Sequence, residues 1–219
     1  MTQVIPASTL TLYEVIEKFN LHEVRDPQFF SEWQDLPAEL SGYEQHWLDQ
    51  AKEDFLSLAK YPLHEEIVKI VVLAPVLSVA GLCRAPFVPA AEKQVEIAFG
   101  QEEAEEVIRG RIDLLILHQN LWVATIETKP KQSDVLEALP QALSYMMANP
   151  QDHYPLFGLL TNGNHFIFLK LIKQDQPCYA LSELFTLLRY DNDLYKIVTI
   201  LRKLKALVLS HEWQTQQAG

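Results

Sequence analysis

The stretch GRIDLLILHQNLWVATIETKP, residues 110–130, constrains the fold more than any other part of the chain. Its two apolar runs, Arg111 to Leu117 and Leu121 to Lys129, are strand-length and rich in Leu, Ile and Val, and they meet around Gln119 and Asn120. Such a pattern predicts neighbouring antiparallel strands. Asp113, Glu127 and Lys129 interrupt the apolar runs. Side chains alternate across a strand, so Glu127 and Lys129 share one face. Asp113 joins them only in the right register. An odd connection, such as Gln119, Asn120 and Leu121 between paired His118 and Trp122, sets Asp113 opposite Glu127; a two-residue turn puts the acids on opposite faces.

Around this pair the chain reads as three regions. Residues 1–60 form a helical N-terminal extension on the core, with helices over Leu12 to Phe19 and Tyr43 to Leu58 and a break near Asp26 and Pro27. Residues 61–181 form the core. It opens with HEEIVKIVVLAPVLSVAGL, a helix ending at Gly81 that Pro75 kinks or divides. KQVEIAF follows as a strand, GQEEAEEVIRG as a solvated acidic loop, then the two opening strands and a helix over 133–148 bent at Pro140. PLFGLLTN and HFIFLKLI are two more strands, joined by a turn through Asn162, Gly163 and Asn164. Residues 182–219 return to helix, broken at Asp191 to Asp193. The expected fold is α/β, a mixed sheet flanked by helices, in one compact unit.

The balance of 29 acidic against 18 basic residues gives a formal charge of −11, which argues against coating nucleic acid through the overall field, although a local basic groove is compatible with it. No apolar run reaches membrane-spanning length and no secretion signal opens the chain, so a soluble cytoplasmic protein with no membrane partner is expected. Cys83 and Cys178 are far apart and without a CxxC, which predicts two free, buried thiols rather than a disulfide framework or zinc site.

Two carboxylates a few ångströms apart repel unless a cation lies between them, and oxygen ligands suit Mg²⁺ or Mn²⁺. A cation there would polarise a phosphate oxygen and acidify a water, with Lys129 orienting that water or stabilising the developing charge. That is the equipment of phosphodiester hydrolysis. For an isolated D…ExK pattern, a surface ion pair between strand-end residues is the commoner explanation.

The surrounding motifs carry more weight. GRID with Asp113, IETK with Glu127 and Lys129, QALSY with Gln141 and Tyr145, and LTNGNHFIF follow in order, and together they resemble the PD-(D/E)xK nuclease superfamily. Within it they resemble the N-terminal nuclease domain of type I restriction enzyme R subunits, over about residues 61–172. The resemblance implies a restriction endonuclease-like fold and Mg²⁺-dependent hydrolysis of DNA, with Mn²⁺ able to substitute. It implies a metal held by Asp113, Glu127 and the backbone carbonyl of Thr128, and catalysis assisted by Lys129. It also makes Glu65 the acid of the first helix, with Glu66 beside it as the alternative, and puts Gln141 and Tyr145 beside the active site. DNA and other restriction-modification subunits are the partners it implies. The chain departs from the pattern in carrying Ile112 before Asp113 instead of proline, and it contains no GxxxxGK[ST] motor motif.

Other polar residues read more plainly. Arg109, Arg111 and Lys131 are solvated strand-end cations with phosphate contact as the alternative, and His118 and His165 are surface histidines. Arg202, Lys203 and Lys205 make a solvated helix face. Two functions follow for the whole chain. The first is a metal-dependent deoxyribonuclease; the second is a non-catalytic module that keeps the nuclease fold and binds nucleic acid or protein.

Overall fold

The computed structural model describes residues 3–34, 39–99, 106–118, 121–150, 154–174 and 176–210. The strands are β1 (Gln3–Pro6), β2 (His22–Glu23), β3 (Phe87–Phe99), β4 (Glu106–His118), β5 (Leu121–Thr128), β6 (Leu156–Thr161), β7 (His165–Ile172), β8 (Cys178–Leu181) and β9 (Phe185–Thr186). They form one mixed sheet in the order β1-β4-β5-β6-β7-β8-β2, with β3 on β4 and β9 on β7. The helices are α1 (Leu12–Phe19), α2 (Gly42–Leu58), α3 (Glu65–Val68), α4 (Ala74–Ala80), α5 (Leu139–Ala148) and α6 (Leu194–Leu209).

Two cores flank the sheet. Phe55 of α2, Val72, Leu77 of α4 and Leu201 of α6 pack with Ile126, Leu159 and Phe168. Val15 of α1 and Leu143 and Met146 of α5 pack with Ile108, Leu160 and Leu169. The architecture is the mixed α/β sheet flanked by helices that the sequence predicts. β5 and β6 run parallel, which forces the chain to cross over between them, and α5 is that crossover.

The N-terminal region is more than a helical extension. β1 pairs in parallel with β4, and β2 in parallel with β8, so residues of the first region complete the sheet. At four and two residues, both strands are too short to show a period, and their pairing partners lie far along the chain. Likewise the first core strand runs from Phe87, not from Lys93, and β4 already begins at Glu106 within the stretch read as loop. Residues 100–105 of that loop lie outside the described residues. Helix α6 starts at Leu194, so Asp191 to Asp193 precede it rather than break it, and residues 211–219 lie outside the described residues.

The prolines act as local chemistry requires. Pro140 sits in the first turn of α5, where a missing N–H leaves no bond unmade, and a 3₁₀ turn over Val135–Ala138 precedes it. Before Pro75 the helix widens into a π-helical turn, Lys69–Leu73, between α3 and α4. Gly81 ends the helix at φ 76°, and Gly163 turns the β6–β7 hairpin at φ 85°. Both thiols are free, but Cys83 is exposed and Cys178 half-buried, contrary to the expected burial.

The opening hairpin resolves its register unexpectedly. His118 pairs with Leu121, which leaves a two-residue link, the connection expected to separate Asp113 from Glu127. The link itself, residues 119 and 120, lies outside the described residues. Yet Leu117 pairs with Trp122 and Ile116 with Ala124, so Val123 is an extra residue on β5. This bulge shifts the register by one. Leu114 then pairs with Ile126, and one step further along that register Asp113 faces Glu127.

Candidate active site

β4 changes neighbours halfway along its length. Residues 106–109 pair with β1, and residues 114–118 pair with β5. Between them the strand edge is open, and backbone N–H groups there need other partners. Glu127 Oε1 accepts from Asp113 N at 3.3 Å. The Tyr145 hydroxyl lies against the backbone at Gly110 and Arg111. A buried carboxylate and a buried phenol thus fill the gap that the strands leave.

The bonding between the acids is reciprocal. Asp113 Oδ2 accepts from Thr128 N at 2.8 Å and from Thr128 Oγ1 at 2.7 Å. Two carboxylate oxygens are then left over. Glu127 Oε2 is buried and, among the described residues, has no hydrogen-bond partner. Asp113 Oδ1 meets the Lys69 ammonium at 3.6 Å, an ion pair rather than a hydrogen bond.

The energetics follow from this crowding. Glu127 is fully buried. Burial first, and then the charge of Asp113, push its carboxyl well above the usual range, while the Asp113 N–H, Lys129 and Lys69 pull the other way. A buried carboxylate that lacks a full set of partners is costly, and at neutral pH it is relieved by a proton or by a cation.

Lys129 is tied to α5 by a relay. Its Nζ donates to Gln141 Oε1 at 3.1 Å, and Gln141 Nε2 donates to Tyr145 Oη at 2.9 Å. Gln141 and Tyr145 lie four apart on α5 and therefore share a face. Because Tyr145 Oη takes the amide NH₂, the amide oxygen must face Lys129. Burial and then the neighbouring Glu127 charge push the Tyr145 phenol far up, so it stays a neutral hydroxyl. Gly110 makes room for it, since a Cβ there would lie 2.3 Å from Tyr145 Oη.

Glu65, the first residue of α3, lines a cleft of about 570 Å³ together with Asp113, Gln141 and Tyr145. Burial and then Asp113 raise its pKa. Glu66 turns outward and bonds Lys69 at 2.9 Å. Among the described residues no three His, Cys, Asp or Glu side chains come close enough to form a ligand set. Glu65 therefore reaches the cleft without completing a trio with Asp113 and Glu127.

Lys69 is the residue that sequence reasoning missed. Burial works against its charge, but the Glu66 hydrogen bond and the charges of Asp113, Glu66 and Glu65 outweigh it, and its pKa is raised. A signal was present, since Lys69 falls four residues after Glu65 and so shares its helical face.

The remaining polar residues resolve as follows. Arg109 pairs with Glu96 at 2.9 Å and Arg111 with Glu92 at 3.1 Å across β3 and β4. Glu92 lies opposite Asp113, is skipped in the strand pairing, and adopts φ 54°. Lys131 donates to Ala59 O at 2.5 Å. His118 is buried against Phe87, contrary to its reading as a surface histidine, because Phe87 pairs with it across β3 and β4. His165 is half-buried at the start of β7. Arg202 bonds Glu44 and the Val79 carbonyl, and Lys205 the Ala80 carbonyl, so this stretch ties α6 to its neighbours.

No protein-family model matches the chain, and no curated protein matches it. Among solved structures it is similar to a fragment described as an HsdR subunit of a type I restriction enzyme from Vibrio vulnificus YJ016, at 20% identity and a TM-score of 0.40. The match covers 57% of this chain and 24% of that one, so the chain spans about a quarter of its neighbour's length. No helix among the described residues is long and apolar enough to cross a membrane.

Proposed function

We propose that this chain is a metal-dependent nuclease that hydrolyses DNA phosphodiester bonds. One observation carries the reading: the buried Glu127 Oε2 has no hydrogen-bond partner among the described residues, while a second carboxylate, Asp113, raises the cost of its charge. These residues fit a hard divalent cation. Asp113 Oδ1 and Glu127 Oε2 are the oxygens left free to hold Mg²⁺, or Mn²⁺ in its place, with the Thr128 carbonyl as the further ligand that the motif implies. When bound, such a cation polarises a phosphate oxygen and acidifies a water.

The side chains around it do the rest. Thr128 fixes Asp113 through two hydrogen bonds, which leaves Oδ1 as the oxygen free to take a ligand. Lys129, steadied by Gln141 and Tyr145, presents its ammonium where negative charge develops on the attacked phosphate. Glu65 closes one side of the cleft. The motif order from GRID to TNG supports placing this activity with the nuclease domains of type I restriction R subunits, with DNA as substrate and other restriction-modification subunits as partners.

The test is cleavage of supercoiled plasmid and of single-stranded DNA by wild-type protein and Lys129→Ala, in Mg²⁺ and then Mn²⁺. Cation-dependent cleavage that falls by at least about a hundredfold in the variant is expected. Equal cleavage by both proteins would place the activity elsewhere. A second reading, a binding module that retains the fold, draws on the Lys69–Asp113 ion pair, which already supplies one positive charge to the acids. On that reading wild type shows no Mn²⁺ binding that Asp113→Ala abolishes.

A further inference from the structure

Four carboxylates, Glu65, Glu66, Asp113 and Glu127, influence the Lys69 ammonium or are influenced by it. Its side chain is largely enclosed, at 17% exposure, and it contacts two of the four in different ways. Glu66 Oε1, on a side chain 65% exposed, bonds it at 2.9 Å. Asp113 Oδ1, on a side chain 13% exposed, stands at 3.6 Å. This oxygen is the one that Thr128 leaves free. Lys69 also opens the π-helical turn that precedes Pro75, and π turns recur at functional sites.

We propose that Lys69 is a tethered counter-ion that competes with the divalent cation for Asp113 Oδ1, and that Glu66 is the seat to which it withdraws when the cation enters. The inference rests on the cation reading given above. An ammonium and a divalent ion cannot share one carboxylate oxygen without strong repulsion in a partly buried site. Withdrawal is short, because Glu66 is one helical turn from Lys69 and already bonded to it. Without a cation, the same ammonium relieves the repulsion between the acids. The site therefore stays folded when empty, at the cost of weaker cation binding.

Calorimetric titration of Mn²⁺ into DNA-free protein tests this, with thermal denaturation in EDTA beside it. Lys69→Met is expected to bind Mn²⁺ about tenfold or more tightly than wild type, and to melt lower in EDTA. Glu66→Gln, a change at an exposed position, is expected to act oppositely, holding Lys69 on Asp113 and weakening Mn²⁺ binding. Lys129→Met removes an equal charge from the same cluster, but one bonded to Gln141, so it measures the general field alone. A gain in Lys69→Met no larger than in Lys129→Met overturns direct competition. Unchanged or tighter binding in Glu66→Gln overturns the withdrawal seat. Uptake by wild type with no gain in Lys69→Met defeats this proposal alone; no uptake by any of the proteins defeats the cation reading with it.

Discussion

Lys170 on β7 and Glu127 on β5 are both buried ionisable residues in the same sheet, and the chain treats them differently. Lys170 is matched one to one: its ammonium bonds Glu32, donates to the Phe29 carbonyl at 2.7 Å and lies over the Phe29 ring. Glu127 has a second acid across from it and shares the ammoniums of Lys69 and Lys129 with three other carboxylates. Among the described residues, each cluster leaves one buried carboxylate oxygen without a hydrogen bond, Glu32 Oε2 and Glu127 Oε2. The orphan atom alone therefore does not mark a site. The unbalanced charge around it does, because a balanced pair has no reason to recruit a further cation.

The largest effect is expected where the balanced pair is broken. Lys170→Met leaves the half-buried Glu32 carboxylate uncompensated, which costs up to about 3 kcal/mol. Melting temperature should fall by about 2–4 °C for each kcal/mol. Adding Glu32→Gln should restore most of the loss. A single variant that melts within a degree or two of wild type would mean that Lys170 and Glu32 are not a matched pair, and the contrast with Glu127 would collapse.

The unbalanced cluster should respond with the opposite sign. Glu127→Gln removes a charge that burial and Asp113 disfavour, so without divalent cations the variant should be more stable than wild type at pH 8, by about 1–3 kcal/mol. The pH dependence follows from the raised carboxyl. Protonated Glu127 suits the fold, so its contribution is full below the ordinary carboxyl range and is lost as pH rises through the raised folded value. The advantage of Glu127→Gln should therefore shrink between pH 8 and pH 5, as read by urea denaturation in EDTA. A variant less stable than wild type at pH 8 would show that the cluster is balanced after all.

How far the sequence discloses this contrast varies residue by residue. Alternation alone puts Glu127 and Lys129 on one face, and helical spacing aligns Gln141 with Tyr145. The facing of Asp113 and Glu127 depends on Val123, an apolar residue inside an apolar run, with no glycine or proline to mark the bulge. β1 and β2 leave no period to read, and yet β1 helps create the open edge of β4 that Tyr145 and Glu127 fill. The Lys170–Glu32 pair joins residues 138 apart in sequence, and no local pattern predicts it. Local periodicity thus reveals which face a residue takes, whereas the balance of charge on that face is a long-range property.

The smallest effect is expected at the exposed pair Arg109–Glu96, on the rim of the cleft. Its nitrogen and oxygen are 2.9 Å apart, a good contact by distance, but both side chains are more than half exposed. Water screens such pairs, so Glu96→Gln should change stability by less than about 1 kcal/mol, and by less still in high salt. Both pairs are in direct contact, whereas their burial differs widely, so burial is the larger contrast between them. If Glu96→Gln proves as costly as Lys170→Met, contact distance rather than desolvation sets the worth of these charges. Glu127 would then gain nothing from its depth in the sheet, and the case for a cation there would have to rest on Asp113 alone.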